Sequence, residues 1–516
     1  MSNIKILVCE DVKEDQKDIE LYLDELDVSF PNLKIESTIK DFDTVIDELK
    51  HQYNLLILDF FDGNIQKGER ILNHNRLEIP TIIYTSRAES EQVDYRSLKS
   101  KYKYLINYLP KLKTGNNLKD FIISFAFSNG FLSKNYSIYN ENDIFLQNSI
   151  ISIGQHQFNE ILYQISSAGA IQGDVVIHRM TSGLSGAILF KIEANGKYSI
   201  LKLSKEIDKL KVEHRNAVEL YHKFPNRLIN HIDADEFYSF DKTVLGILLK
   251  EVDHAQTLFE FILSSSTNKT KIDDFFHNLF IDEQGLKTHY LNNQQDNSDW
   301  ASIFNKITEQ KIHLIKTSFK EVKPIIQKYY SLFDIEDFRR LAINHNFCNL
   351  NINDMLDATY KKMHVLSHGD FHSKNVLIQS GNYPVLIDTG SISFQHWSLD
   401  ICRLIVHLFI TGIDNGKIEY FDINNTQKYI DIFDNILVKE NIEVDGDNDN
   451  IIHAINWLVN NIDNVFASDF EIFEYQLGLM KEFLQVSYRF DTIPPNKRAL
   501  ALIAAHKCMI AANDNL

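Results

Sequence analysis

Positive charge is what this 516-residue chain most lacks. Lys and Arg number 53 against 71 Asp and Glu, a formal net charge of −18. A nucleic-acid partner demands a basic face, so the deficit argues against one. The acidic balance suits solubility and, weakly, cationic substrates. Cysteine is almost absent too. Cys9, Cys348, Cys402 and Cys508 are scattered and form no CxxC or zinc spacing. They read as buried thiols in a reducing compartment, not as a disulfide frame. Long apolar runs are also missing. The best candidate, residues 121–132, is interrupted by Ser and Asn and falls short of the roughly 20 residues a membrane span needs. The opening MSNIKILVCED has no charged-then-apolar signal pattern. The expectation is a cytoplasmic protein with no membrane partner. The chain shows no internal repeat and no long low-complexity tract.

What is present is ordinary globular material, 44% hydrophobic and 24% charged. The length predicts two or three domains of ~150 residues each. Over residues 1–130, short apolar runs alternate with helical periodicity. Ile4 to Cys9, Leu55 to Leu58 and Thr81 to Tyr84 read as strands, and the stretch around Tyr104 to Leu109 as a further candidate. Glu14 to Leu26 and Leu118 to Phe127 read as helices. Strands apolar on both faces, separated by helices, predict an α/β domain with a doubly wound, flavodoxin-like parallel sheet. Residues 131–172 are polar and predict a connector with one helix from Asp143 to Ser166. From about Val175 the chain is strand-rich (VVIHRM, AILFKIEA, YSILKLS, VLGILLK), and beyond Leu258 it is largely helical. That outline is a two-lobed α+β domain, with a smaller lobe over 173–252 and a largely helical lobe over 253–516.

The richest stretch is His368-Gly369-Asp370-Phe371-His372-Ser373-Lys374-Asn375, followed by Val385-Leu386-Ile387-Asp388. Phosphoryl transfer needs one carboxylate to take the acceptor's proton, and an amide oxygen with a second carboxylate to hold Mg2+ on a triphosphate. Asp370, Asn375 and Asp388 supply this set in order. Any one of them alone is more simply a turn cap. His368 is expected to brace the loop. A zinc pair of His368 and His372 would need a helix, which Gly369 and the following strand disfavour. Upstream, Ser182, Gly183, Ser185 and Gly186 form a turn whose N–H groups can meet phosphates, although a surface hairpin reads the same way. Lys202 lies inside the strand Ile200 to Leu203, placed to hold the α/β-phosphates or else to snorkel. Glu213 opens a helix eleven residues on and is the expected partner of Lys202, with Glu206 and Glu219 as rivals. Glu251 and Val252 sit where a hinge backbone would meet an adenine edge.

A second constellation lies at predicted strand ends near the N-terminus. Glu10 and Asp11 follow the first strand, Asp59 the LLIL strand, Thr85 and Ser86 the TIIY strand, and Lys111 the run Tyr108-Leu109-Pro110. In a doubly wound sheet these positions share one edge, where ligands bind. Glu10, Asp11 and Asp59 would cage Mg2+. Asp59 would take a phosphoryl group, and Thr85 and Lys111 would bond its oxygens. Asp62-Gly63-Asn64 reads as a turn.

Two resemblances follow from these motifs. HGDFHSKN, LIDTGS and the trailing Trp397-Ser398-Leu399-Asp400-Ile401-Cys402-Arg403-Leu404 resemble the aminoglycoside phosphotransferase and choline kinase-like branch of the protein-kinase-like fold, over about residues 175–516. This implies ATP, Mg2+ and phosphorylation of a small molecule or, less often, a protein. His-Gly-Asp in place of His-Arg-Asp leans to the small-molecule branch. VCED, ILDFFDG, IIYTS and LPK resemble the receiver domain of bacterial response regulators over about residues 1–130. Leu112, however, follows Lys111 where that family usually has Pro. The receiver resemblance implies a two-component phosphorelay, with a histidine kinase as partner and a homodimer through the domain. The joint expectation is a signalling kinase controlled through Asp59. Two alternatives remain: a nucleotide-binding scaffold that transfers nothing, or an antibiotic-type small-molecule kinase.

Overall fold

The computed structural model describes residues 2–515 except 31–32, 63–64, 87–94, 113–114, 133–135, 141, 181–186, 222, 226–227, 229–231, 253–254, 265, 298–308, 339–345, 348–349, 352–361, 380–381, 413–425, 443–448, 467–470 and 490–491. The glycine-rich turn with Ser182, Gly183, Ser185 and Gly186 therefore lies outside the described residues, as do Cys348 and the Gly63-Asn64 turn. The chain divides into two compact units, 1–208 with 235–248, and 209–234 with 249–516.

In the first unit, strands β1 (Ser2–Cys9), β2 (Leu33–Lys40), β3 (Leu55–Leu58), β4 (Thr81–Thr85) and β5 (Leu105–Pro110) form one parallel sheet in the order β2-β1-β3-β4-β5. The strand period of two sends alternate residues to opposite faces. Ile4, Ile6 and Val8 pack with α1 (Lys13–Ser29) and α5 (Asn116–Ser128). Leu7 and Cys9 pack on the other side with α2 (Val45–Glu48), α3 (Gly68–His74) and α4 (Tyr95–Lys101). Both faces are covered, which explains the doubly apolar strands. Helix α1 buries Ile19, Tyr22, Leu23 and Leu26, the i, i+3, i+4, i+7 stripe of a core-facing helix. Strand β2 escaped the sequence reading. It is an edge strand, LKIESTIK, with most of its side chains exposed or half-buried, so its apolar pattern is faint.

The same unit holds a six-stranded sheet built from β6 (Tyr136–Ile138), β7 (Gly173–Arg179), β8 (Ile188–Ala194), β9 (Lys197–Ser204), β10 (Ile232–Tyr238) and β11 (Leu245–Lys250), ordered β10-β11-β9-β8-β7-β6. The polar stretch before it contributes β6 and two helices, α6 (Ile144–Ile153) and α7 (Gln155–Ser167). The single helix expected over 143–166 is broken at Gly154, whose φ of 117° is outside helical space. Helix α7 also ties this sheet to the parallel-sheet domain. Tyr163 and the β10–β11 turn residue Phe240 join Phe127 of α5 in one aromatic cluster. Buried Glu160 accepts from Ser124 Oγ at 2.9 Å and from the Phe240 backbone N–H at 2.8 Å. Lys242 pairs with Asp120 at 2.7 Å.

The second unit is mostly helical. Helix α8 (Ile207–Tyr221), which starts in the first unit, leads into it. There follow β12 (Gln256–Thr257), α9 (Leu258–Leu263), α10 (Lys269–Phe276), α11 (Leu286–Asn292), β13 (Gln294–Asn297), α12 (Glu309–Tyr329), β14 (Lys362–Ser367), β15 (Val376–Gln379), β16 (Tyr383–Leu386), β17 (Ser393–His396), α13 (Ser398–His407), α14 (Thr426–Val438), α15 (Asp449–Val465), α16 (Ile472–Ser487) and α17 (Pro495–Asp514). Two small sheets, β12-β15-β16 and β13-β14-β17, flank the loop that carries His368 to Asn375. Helix α13 is buried against α16 at Gly478, where a Cβ would stand 2.4 Å from Ser398 Oγ. That close approach fixes the helix whose first turns carry Asp400 and Arg403. Among the described residues, no helix is long and apolar enough to cross a membrane.

Candidate functional sites

The loop between β14 and β15 turns at Gly369. Its φ is +79°, and a Cβ there would lie 2.1 Å from the Ser391 carbonyl oxygen, so only glycine fits. Asp400 of α13 receives both loop amides, His368 N–H at 2.8 Å and Gly369 N–H at 3.0 Å. The Tyr290 hydroxyl donates to the same carboxylate at 3.0 Å. His368 braces the loop as expected. Its Nε2 lies 2.8 Å from the Ile387 carbonyl, and its Nδ1 accepts the Asp370 N–H at 3.3 Å. This pair of bonds selects the Nε2–H tautomer.

Asp370 stands half-buried at the tip. Arg403 Nη1 donates to its Oδ1 at 2.7 Å, and Asn375 Nδ2 lies 3.4 Å from its Oδ2. Asn375 Nδ2 also donates to the Asp370 carbonyl at 3.0 Å. With its nitrogen so committed, the Asn375 side chain has its oxygen left to offer a cation. The Ile387 N–H donates to the Asn375 carbonyl at 3.0 Å, continuing the β15–β16 ladder. Asp388, the next residue, is therefore held close to Asn375. It is exposed and left-handed at φ 58°, a conformation that non-glycine residues adopt sparingly and that recurs at functional sites. Asp370, Asn375 and Asp388 thus gather at one end of one ladder within the second unit. His372 Nε2 lies 3.7 Å from Asp370 Oδ2. Burial pushes the imidazole down to about 4, more than the neighbouring Asp370 charge offsets. It is neutral at pH 7.

Glu213 is half-buried on α8, its side chain against Gly390, two residues beyond Asp388. Lys202 belongs to the first unit. It lies in β9, paired with Leu189 and only 6% exposed, which excludes a snorkelling surface side chain. Glu206 is exposed, and the side chain of Glu219 lies outside the described residues. Glu251 and Val252 follow β11 and are half-buried.

The second site crowns the parallel sheet at its C-terminal edge. Carboxylate oxygens of Glu10, Asp11 and Asp59 lie within 4.8 Å of one another. Lys111 Nζ donates to Glu10 at 2.6 Å and to Asp59 at 2.8 Å. It also donates to Asp15 at 2.5 Å, an acid in the first turn of α1 that the sequence reading passed over. Thr85 is buried, and its carbonyl accepts the Lys111 N–H at 2.8 Å, so the two predicted phosphate-binding residues are neighbours. Burial works against the Lys111 charge, but Asp59, Asp15 and Glu10 outweigh it and hold the ammonium above its usual range. Burial lifts Glu10 to about 7 despite the ammonium beside it. Three carboxyls face one ammonium, and Asp11 lies beside two of them. An all-oxygen, acid-rich set of this kind fits a hard divalent cation.

Residues 277–420 match the model of the ecdysteroid kinase-like family. The match spans the His368–Asn375 loop, Asp388, Asp400 and Arg403, and leaves residues 1–276 uncovered. It supports a kinase-like region over just over a quarter of the chain. No curated protein matches the sequence. Solved structures with some likeness include a thermostable mutant of the aminoglycoside phosphotransferase APH(4)-Ia, complexed with ADP and hygromycin B. It is 11% identical, covers 68% of this chain and 97% of its own, and has a TM-score of 0.36. Spectinomycin phosphotransferase APH(9)-Ia, with ADP and spectinomycin, is 12% identical over 66% and 93%, at 0.31. Plasmodium vivax ethanolamine kinase is 13% identical over 73% and 91%, at 0.35. Scores this low do not establish a shared fold.

Proposed function

We propose that the chain is an ATP- and Mg2+-dependent phosphotransferase acting on a hydroxyl of a small molecule or protein. The gathering of Asp370, Asn375 and Asp388 at one ladder end carries this reading. Asp370 accepts the proton of the acceptor hydroxyl as its oxygen bonds to the γ-phosphorus and the bond to ADP breaks. Asn375 and Asp388 offer an amide oxygen and a carboxylate, a donor pair that suits Mg2+. When bound, that ion neutralises charge on the phosphates. Lys202 and the turn with Ser182, Gly183, Ser185 and Gly186 are the proposed phosphate-binding groups, and the backbone of Glu251 and Val252 the proposed adenine-binding group. The test is ADP formation by the full chain and by Asp370→Ala. A loss of about 10²-fold or more is expected on removing the group that handles the proton, and equal rates would refute the reading.

The parallel-sheet domain is proposed as the regulatory part, with Asp59 as phosphoryl acceptor from a histidine kinase. The triple grip of Lys111 supports this, because it sets a cation beside Asp59 with Thr85 at hand. Glu10, Asp11 and Asp59 supply the oxygens for a divalent ion. The bridge from α5 through Glu160 to the β10–β11 turn supports communication with the six-stranded sheet. Acetyl phosphate with Mg2+ is expected to give a base-labile adduct on the wild type and none on Asp59→Ala. No adduct on the wild type would reduce the domain to a docking module.

A further inference from the structure

We infer that Arg403 is a positioning residue for Asp370, an assignment that rests on the kinase reading above. Arg403 lies one helical turn after Asp400 on α13, so both side chains leave the same face. Asp400 holds the amides of His368 and Gly369, and Arg403 takes the next two groups along the loop. Its Nη1 donates to the Gly369 carbonyl at 2.5 Å and to Asp370 Oδ1 at 2.7 Å. Three successive residues are thus gripped by one turn of one helix.

The guanidinium is itself locked. Nε donates to Glu482 at 2.7 Å and Nη2 to Gln485 at 2.9 Å, both on α16. The Arg403 side chain is 11% exposed and that of Glu482 4%. Two acids around one buried arginine satisfy its charge, and the planar fork fixes direction as well as distance. The consequence concerns one torsion. The carboxylate of an aspartate turns readily about χ2, a broad two-fold rotor. With Oδ1 tied to Arg403, that rotor stops, and Oδ2 is the oxygen turned toward Asn375 and His372. Oδ2 is then the atom that meets the acceptor hydroxyl. A misplacement near 1 Å at such a group costs up to about 10²-fold in rate.

The test measures ADP formation from Mg-ATP by the full chain, with water as acceptor, beside nucleotide affinity and thermal unfolding. Arg403→Gln is expected to lower kcat by ~10- to 10²-fold while ATP affinity stays within about twofold. Arg403→Lys keeps the charge without the fork and is expected to fall between wild type and Arg403→Gln. In an Asp370→Ala background, Arg403→Gln should add nothing, because the residue it positions is gone. A merely structural arginine would lower the rate further in that background. Such additive losses, or an Arg403→Lys enzyme with wild-type kcat, would overturn the assignment. Should Arg403→Gln fail to fold, Arg403→Lys and Glu482→Gln, which removes the charge facing Nε, carry the same comparison. A wild type that forms no ADP, or an Asp370→Ala that forms it undiminished, would instead remove the kinase reading itself.

Discussion

Gly369 is the residue on which the loop between β14 and β15 turns. Its left-handed backbone disfavours any Cβ by ~1–2 kcal/mol, and overlap with the Ser391 carbonyl adds to that. Gly369→Ala is expected to destabilise the second unit by at least about 2 kcal/mol in urea titration and to abolish ADP formation. Asp400 answers to a different cost. Asp400→Ala leaves two loop amides and the Tyr290 hydroxyl without their acceptor. At ~1–3 kcal/mol per buried group left unpaired, a loss of at least about 3 kcal/mol is expected from the same titration. Unchanged unfolding would contradict the brace. Asp370, Asn375 and Asp388 were legible in the sequence because they sit within nineteen residues, in order, beside apolar strands. The work of Asp400, Arg403 and Asp15 was not legible. Each acts on a residue 30 or more positions away, so only the packing of α13 and α1 brings it to its partner.

At the scale of elements, the joint between α5, α7 and the β10–β11 turn carries its own pH signature. Burial raises the carboxyl of Glu160, more than its bonds to Phe240 N–H and Ser124 offset. A raised carboxyl favours the protonated form in the folded state. The first unit should therefore lose stability as pH climbs from the ordinary carboxylate value through the raised one. Glu160→Gln keeps an acceptor for Phe240 and a donor for Ser124. It is expected to flatten that slope and to unfold no earlier than wild type at pH 7. A steeper slope in the variant would contradict the account of burial. The helices flanking this joint were readable from periodicity, but the break at Gly154 and the edge strand β2 were not. One needs a single torsion, and the other hides its pattern among Glu, Ser and Thr.

Across the whole molecule, the two units should answer acid differently. Burial holds His289, His372, His407 and His506 of the second unit below the usual imidazole range. Unfolded, they take up protons near 6.5; folded, they resist. Their contribution is complete above about pH 6.5 and is lost as pH falls, for His372 toward about 4. For His372 alone the loss is at most about 3 kcal/mol. Calorimetric scans between pH 7 and 4 should show the transition of the second unit moving down. His372→Asn should reduce the shift, and an equal shift in that variant would refute the buried-neutral assignment. A parallel-sheet part, a smaller strand-rich part and a helical part were read from texture. The merging of the first two into one compact unit was not, because it depends on Tyr163, Phe240 and Glu160, which read as ordinary core and surface residues. The proposed phosphotransferase requires Asn375 and Asp388 to hold a divalent ion on nucleotide phosphates. Calorimetric titration of ADP into the wild type and into Asp388→Ala, each with Mg2+ and with EDTA, tests it most directly. Mg2+ should tighten ADP binding to the wild type by about tenfold or more, or ~1.4 kcal/mol, and leave Asp388→Ala unchanged. Equal Mg2+ enhancement in both proteins would contradict it.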